Sequence, residues 1–250
     1  MATPTTPHAI RLTVIRNDPD SGPGRLLDWS LAAGVPLDLV KADEGDQIPS
    51  AATDLDALIM LGGGFLPDAD REHPWLAAER ALARDCLDRG VPVLGICLGA
   101  QLLAHVGGGR VEGDFGMPEK GVTELTPQPA AADDALFQAF STRTVGIESH
   151  RDQITQLPDG AHLLMSSERC RNQAFRLGDT AWATQWHPES SAARVANWSD
   201  AKISELGFSP DEVKRVAQEH DGQLESTWQA FFERFLAVVA ETAASRVPLR

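Results

Sequence analysis

The chain has 250 residues, 42% of them hydrophobic and 23% charged, with a net charge of −14. That length and composition fit one large globular domain, or one with a small appendage. A negative balance with no Lys/Arg cluster disfavours nucleic-acid and anionic-membrane partners.

Residues 1–9 carry no basic region and no long apolar stretch, so a flexible tail is expected there rather than a signal peptide. No run approaches the roughly 20 apolar residues of a membrane span. IRLTVI (10–15) has the pattern of a first strand. Residues 24–33 read as a helix stopped by Gly34. VPLDLV (35–40) and ALIML (57–61) predict two more strands, the latter continuously apolar and followed by Gly62-Gly63-Gly64. Residues 74–89 carry apolar side chains at helical spacing between Pro74 and Gly90. VPVLGI (91–96) predicts a fourth strand, and AQLLAHV (100–106) the next helix. This alternation predicts an α/β fold: an open, mostly parallel sheet with helices on both faces.

The second half is richer in strand patterns, at 121–126, 143–147, 162–166, 172–177 and 180–186. Their spacing predicts an antiparallel extension. Residues 199–222, charged and weakly periodic, read as a helical insertion, and 223–243 as a terminal helix. The whole of 10–250 is expected to form a single domain.

The three cysteines, Cys86, Cys97 and Cys170, are widely spaced with no CxxC pair, so a disulfide framework or structural zinc site is disfavoured. Together with the absence of a leader or span, this predicts a reducing cytoplasm. Cys97 stands apart. It lies in Gly95-Ile96-Cys97-Leu98-Gly99, directly after a predicted strand and before a predicted helix. A strand-to-helix elbow exposes its central side chain, and flanking glycines leave room for backbone to cross closely. The helix N-terminus favours a thiolate there. On the elbow alone, a nucleophile and a small residue in a tight turn are equally good readings.

Gln185-Trp186-His187-Pro188-Glu189 supplies what a cysteine nucleophile needs: His187 as base and Glu189 to orient it. The Gly62–Gly64 loop can point backbone amides at a developing oxyanion, or be a plain βα turn. A phosphate cradle is a poorer reading, because neither glycine-rich phosphate motif is present.

The motifs GVPVLGICLGAQLLA and TQWHPE, in the order glycine loop, cysteine elbow, His-Pro-Glu, resemble the class I, triad-type glutamine amidotransferases. PWLAAE, SHRDQI and QAFR also fall where stand-alone members carry related segments, and the similarity covers most of residues 10–190. The resemblance implies a flavodoxin-like architecture. It also implies attack by Cys97 on the side-chain amide of L-glutamine, giving a γ-glutamyl thioester, ammonia and then glutamate. His187 becomes general base and acid, and Glu189 its orienting partner. The amides of Leu98 and of Gly63 or Gly64 become the oxyanion hole. Gln101 matches a substrate-contacting glutamine, or is a polar residue on the helix surface. Ser149, His150 and Asp152 fall where relatives bind the substrate's α-amino and α-carboxylate groups; His150 also reads as a satisfied polar residue in a turn. No cofactor and no metal are implied. The chain departs from the family at Gly64-Phe65, where many members have a proline after two glycines. It departs again at Glu119-Lys120-Gly121-Val122, where many have Glu-Ile-Gly-Trp. These changes bear on the oxyanion loop and on acceptor-side contacts, not on the triad.

Three functions compete. The first is a glutaminase feeding ammonia to a synthetase, which would be a separate acceptor subunit because the 61 residues after Glu189 contain no P-loop. The second is a γ-glutamyl hydrolase or peptidase using the same triad on a γ-glutamyl amide or peptide. The third is a non-catalytic binding or regulatory module, against which the intact triad speaks.

Overall fold

The computed structural model describes residues 10–246; the predicted tail, 1–9, lies outside the described residues. The first half alternates as the sequence pattern demands: β1 (Leu12–Arg16), α1 (Arg25–Ala32), β2 (Leu37–Lys41), β3 (Ala57–Met60), α2 (Leu76–Arg89), β4 (Val93–Ile96) and α3 (Leu98–Val106). Then follow β5 (Arg110–Glu112), β6 (Glu119–Pro127), β7 (Thr144–His150), β8 (Gln153–Gln156), β9 (His162–Ser166), β10 (Ala174–Leu177) and β11 (Ala181–Thr184). The chain closes with α4 (Ala192–Ala196), α5 (Asp200–Glu205) and α6 (Pro210–Arg246).

Nine strands form one sheet in the order β2-β1-β3-β4-β11-β10-β9-β6-β7. The half from β2 to β11 is parallel, and β10, β9, β6 and β7 extend it antiparallel. This is the flavodoxin-like arrangement with its antiparallel extension. Because side chains alternate across a strand, each central strand feeds two cores. Ile59 of β3 joins Trp29, Trp228 and Phe235 on the face covered by α1 and α6. Its neighbours Leu58 and Met60 pack with Leu76, Leu82 and Leu102 under α2 and α3.

Two differences from the sequence pattern stand out. β5 and β8 form a separate two-stranded pair, too short to show as alternation. The boundary expected near residue 222 is absent: α6 runs unbroken for 37 residues, and only α5 is separate. Val213, Ala217, Leu224 and Trp228 carry a sparse buried stripe through the charged stretch. Steps of four, seven and four residues in that stripe keep one helical face against the sheet.

The elbow glycines are required by close backbone crossing. A Cβ on Gly99 would collide with the Met60 carbonyl of β3, and one on Gly95 with the Gly99 carbonyl. Gly99→Ala is therefore expected to lower unfolding free energy by about 3 kcal/mol, the upper end of overpacking costs. Urea titration checks this; an unchanged midpoint would contradict the crossing.

Glu79 of α2 is fully buried, its carboxyl accepting from Asn17 Nδ2 at 3.1 Å. Asn17 Nδ2 also donates to the Leu61 carbonyl, and Asn17 Oδ1 accepts from Trp75 Nε1. This web holds the end of β3, from which the glycine loop springs. Burial, only partly offset by the Asn17 hydrogen bond, pushes Glu79 up to about 8. The folded state thus binds a proton that the unfolded state releases near its ordinary value of 4.5. Its contribution is complete below that value and is lost as pH rises towards 8. Glu79→Gln is expected to raise Tm by at least about 2 °C at pH 9 and to leave it nearly unchanged at pH 5. Calorimetric scans at both pH values decide it.

Candidate active site

Three βα connections meet at the carboxyl ends of neighbouring parallel strands β3, β4 and β11, the edge where open α/β sheets place their ligands. At the end of β4, Cys97 is held at φ 53° and ψ −106°, outside the ordinary region for a residue with a side chain. Its amide donates to the Thr184 carbonyl of β11 at 2.8 Å, locking the elbow to the neighbouring strand. Leu98 is the first residue of α3, so its amide has no acceptor within the helix. The dipole of α3 points its positive end at this turn.

After β11 the chain makes the His187-Pro188-Glu189 turn. His187 Nδ1 lies 2.8 Å from Glu189 Oε1, both residues buried. That contact leaves Nε2 as the ring nitrogen available to the Cys97 thiol, which lines the same cavity. Burial alone would lower His187, but the Glu189 charge and the Cys97 sulfur outweigh it and hold the imidazole well above its ordinary value. Burial conversely raises Glu189, and His187 and Arg194 overcome it to hold the carboxyl below its ordinary range. The pair is thus arranged to carry an imidazolium beside sulfur.

The turn is pinned from α1 and α6. The Arg25 amide donates to the Glu189 carbonyl at 2.9 Å, and Arg25 Nη1 to the Ser190 carbonyl at 3.2 Å. Gly24, at φ 52°, lies where any Cβ would strike that Glu189 carbonyl. Asp221 of α6 caps the Ala192 amide at 2.7 Å and pairs with Arg25 at 2.8 Å.

The glycine loop closes the third side. A Cβ on Gly62 would stand 3.1 Å from His187 Cε1, and one on Gly63 2.7 Å from Leu98 Cδ2. A cavity of about 450 Å³ opens over Cys97 and His187, with Gly63 and Gly64 in its wall. A larger cavity, about 530 Å³, touches Glu189 from behind through Arg25 and Arg194 but reaches neither Cys97 nor His187.

Of the four residues expected to bind substrate, only Ser149 lines the cavity. Gln101 is buried, not a surface residue of its helix. Its Nε2 donates to the Asp152 carbonyl at 3.2 Å and to Gln185 Oε1 at 3.4 Å. Gln185 in turn places Nε2 3.6 Å from Cys97 Sγ. Asp152 directs its carboxylate to the Asp114 amide at 3.0 Å, away from the cavity. His150 ends β7 and turns inward: Nδ1 faces the Asp152 carbonyl at 3.2 Å, and Nε2 faces Glu119 at 3.0 Å and Glu148 at 3.2 Å. Burial would lower this imidazole, but the two carboxylates push it up to about 10. With a carbonyl on one nitrogen and carboxylates on the other, both must donate, as in an imidazolium.

Among the described residues, one group has metal-ligating donors close together, Glu119, His150 and Cys170, all buried and within 4.8 Å of one another. The Glu119 oxygens already accept from Ser167, Gln173 and His150, so the group is committed to its own network.

The pattern in the sequence did not single out Lys120, Trp198 and Lys202 as site residues, yet all three line the cavity. The only signal was the departure of Glu119-Lys120-Gly121-Val122 from the family pattern. Asp18 and Asp20, on the loop after β1, line it too.

A strained cysteine between a parallel strand and a helix N-terminus, with a buried His–Glu pair against the thiol, defines a cysteine-dependent amidohydrolase on a flavodoxin-like sheet. Residues 24–197 match the model of the family "Glutamine amidotransferase class-I", and the chain belongs to that family. It is 36% identical over 160 residues to a protein of Halobacterium salinarum described as one subunit of glutamine-hydrolyzing GMP synthase, covering 62% of this chain and 76% of that one. A crystal structure of a glutamine amidotransferase from Thermotoga maritima superposes with a TM-score of 0.82 at 25% identity, covering 91% of this chain and 98% of the other. One from Methylobacillus flagellatus gives 0.81 at 26%, covering 92% and 94%.

Proposed function

We propose that this chain hydrolyses L-glutamine to glutamate and ammonia, with Cys97, His187 and Glu189 as its catalytic triad. The observation that carries this is the placement of Cys97 and His187 side by side in one cavity while Glu189 holds His187 Nδ1 at 2.8 Å. His187 holds the thiol proton as an imidazolium while Cys97 Sγ attacks the amide carbon. The carbonyl oxygen becomes an oxyanion, for which the Leu98 amide and an amide of the Gly63–Gly64 loop are the available donors. The C–N bond breaks, His187 gives its proton to the leaving nitrogen, and ammonia departs from a γ-glutamyl thioester. Water then attacks the thioester, losing its proton to His187. The C–S bond breaks, the thiolate again faces the imidazolium, and glutamate is released. Gln185, near the sulfur, and Gln101 behind it hold the nucleophile in place.

Similarity to chains described as one subunit of a synthase supports an acceptor on a separate polypeptide, to which the ammonia would pass. Purified protein incubated with L-glutamine and with γ-glutamyl dipeptides, followed for ammonia and for free glutamate, tests the reading. Ammonia from L-glutamine is the expected result. Turnover of dipeptides alone would replace it with a γ-glutamyl peptidase.

A further inference from the structure

The chain contains four lysines. Two of them, Lys41 and Lys214, sit in ion pairs with Glu44 and Asp200. The other two, Lys120 and Lys202, line the cavity over Cys97. Lys120 is half-buried near the start of β6. Its Nζ donates to Ser149 Oγ at 2.6 Å and lies 3.7 Å from the centre of the Trp198 ring. Among the described residues it pairs with no carboxylate, although the chain has 36 acidic side chains against 22 basic ones.

Lys120, Lys202 and Arg194 bring three cations to the cavity wall against the two carboxylates of Asp18 and Asp20, and Lys120 is the partly desolvated one with no carboxylate of its own among the described residues. Burial, and to a smaller degree Lys202, pushes Lys120 down to about 8, against the pull of the Cys97 sulfur. A hydroxyl and an aromatic face orient such an ammonium but do not neutralise it. An incoming anion would.

We propose that Lys120, oriented by Ser149 and Trp198 and flanked by Lys202, is the specificity-determining residue that receives a carboxylate of the substrate. This rests on reading the cavity as the pocket of a γ-glutamyl amide. Two carboxylates have the right chemistry: the α-carboxylate of the γ-glutamyl moiety, or one borne by the departing amine. Trp198 and Lys202 come from the α4–α5 segment, so this segment is part of the substrate pocket.

The test is equilibrium binding to Cys97→Ser protein, which needs no turnover. L-glutamine is compared with L-glutaminamide, which lacks the α-carboxylate. γ-Glutamylglycine is compared with γ-glutamylmethylamide, which lacks the carboxylate on the amine. In at least one pair the carboxylate-bearing ligand is expected to bind at least about tenfold tighter, an ordinary gain for a charge-assisted contact. The pair that shows the gap identifies the carboxylate. Adding Lys120→Met should close the gap to below about threefold, whereas Lys120→Arg should retain most of it. Equal affinities within both pairs, no binding of any of the four ligands, or a gap that survives Lys120→Met overturns the proposal. If Lys120→Met does not fold, the ligand pairs on the single variant still decide. Glutamine turnover by the unaltered protein is assayed separately. A binding gap without turnover would reject the proposed function and keep this subsite. Turnover without a gap would do the reverse.

Discussion

Cys97→Ala is expected to abolish ammonia release from L-glutamine, a loss of at least about 10³-fold, while the protein unfolds at nearly the same temperature. Removing a nucleophile from a unit that works together takes away most of the catalysis at once, as measured triads show. The fold should survive because alanine keeps the Cβ, and the strain at φ 53° is set by backbone and Cβ rather than by sulfur. The thiol itself fills little space, being 5% exposed at the cavity floor. Selective alkylation supplies a second readout. Cys86 and Cys170 are fully buried; burial pushes the Cys86 thiol up to about 12 and raises Cys170 further. Only Cys97 opens to a cavity, so one equivalent of iodoacetamide should label the native protein and none the variant. A Cys97→Ala protein retaining a tenth of the activity, or labelling that persists in it, would remove Cys97 from the mechanism.

The parallel half of the fold was legible because each element announces itself locally. Ala57–Met60 is continuously apolar since both faces of β3 are covered, and Gly90 closes α2 in the left-handed region. The order of strands in the antiparallel half was not legible. β9 pairs with both β10 and β6, and β6 with β7 across an intervening 3₁₀ turn, by long-range packing that no local period encodes. At the site, Cys97, His187 and Glu189 were legible because their chemistry demands short fixed spacings to glycine and proline. Gln101 and His150 turn their side chains into the support behind the sulfur, and Asp152 turns its carboxylate outward to the Asp114 amide. Sequence places such residues near a site without saying which way they point. Lys120 and Trp198 meet only because β6 and the segment after α4 pack side by side, so neither advertised the contact alone.

His187→Ala and Glu189→Gln should separate moving a proton from aiming it. His187 transfers the proton in every step, so its removal is expected to cost about 10³- to 10⁴-fold in kcat/KM. Glu189→Gln keeps the volume and a carbonyl oxygen that can accept from Nδ1–H, so about 10- to 100-fold is expected. Glu189→Gln also carries a signature along the pH axis. Glu189 raises His187 against a burial that alone would lower it. Removing that charge drops the imidazole, so the imidazolium beside sulfur is lost at a lower pH. The alkaline limb of kcat/KM for Glu189→Gln should therefore move towards neutral pH, and residual activity should be best preserved on the acid side of the profile. A merely structural Glu189 would lower the whole profile without moving its limb, and that outcome would leave the His187–Glu189 contact a scaffold rather than part of the proton-transfer machinery.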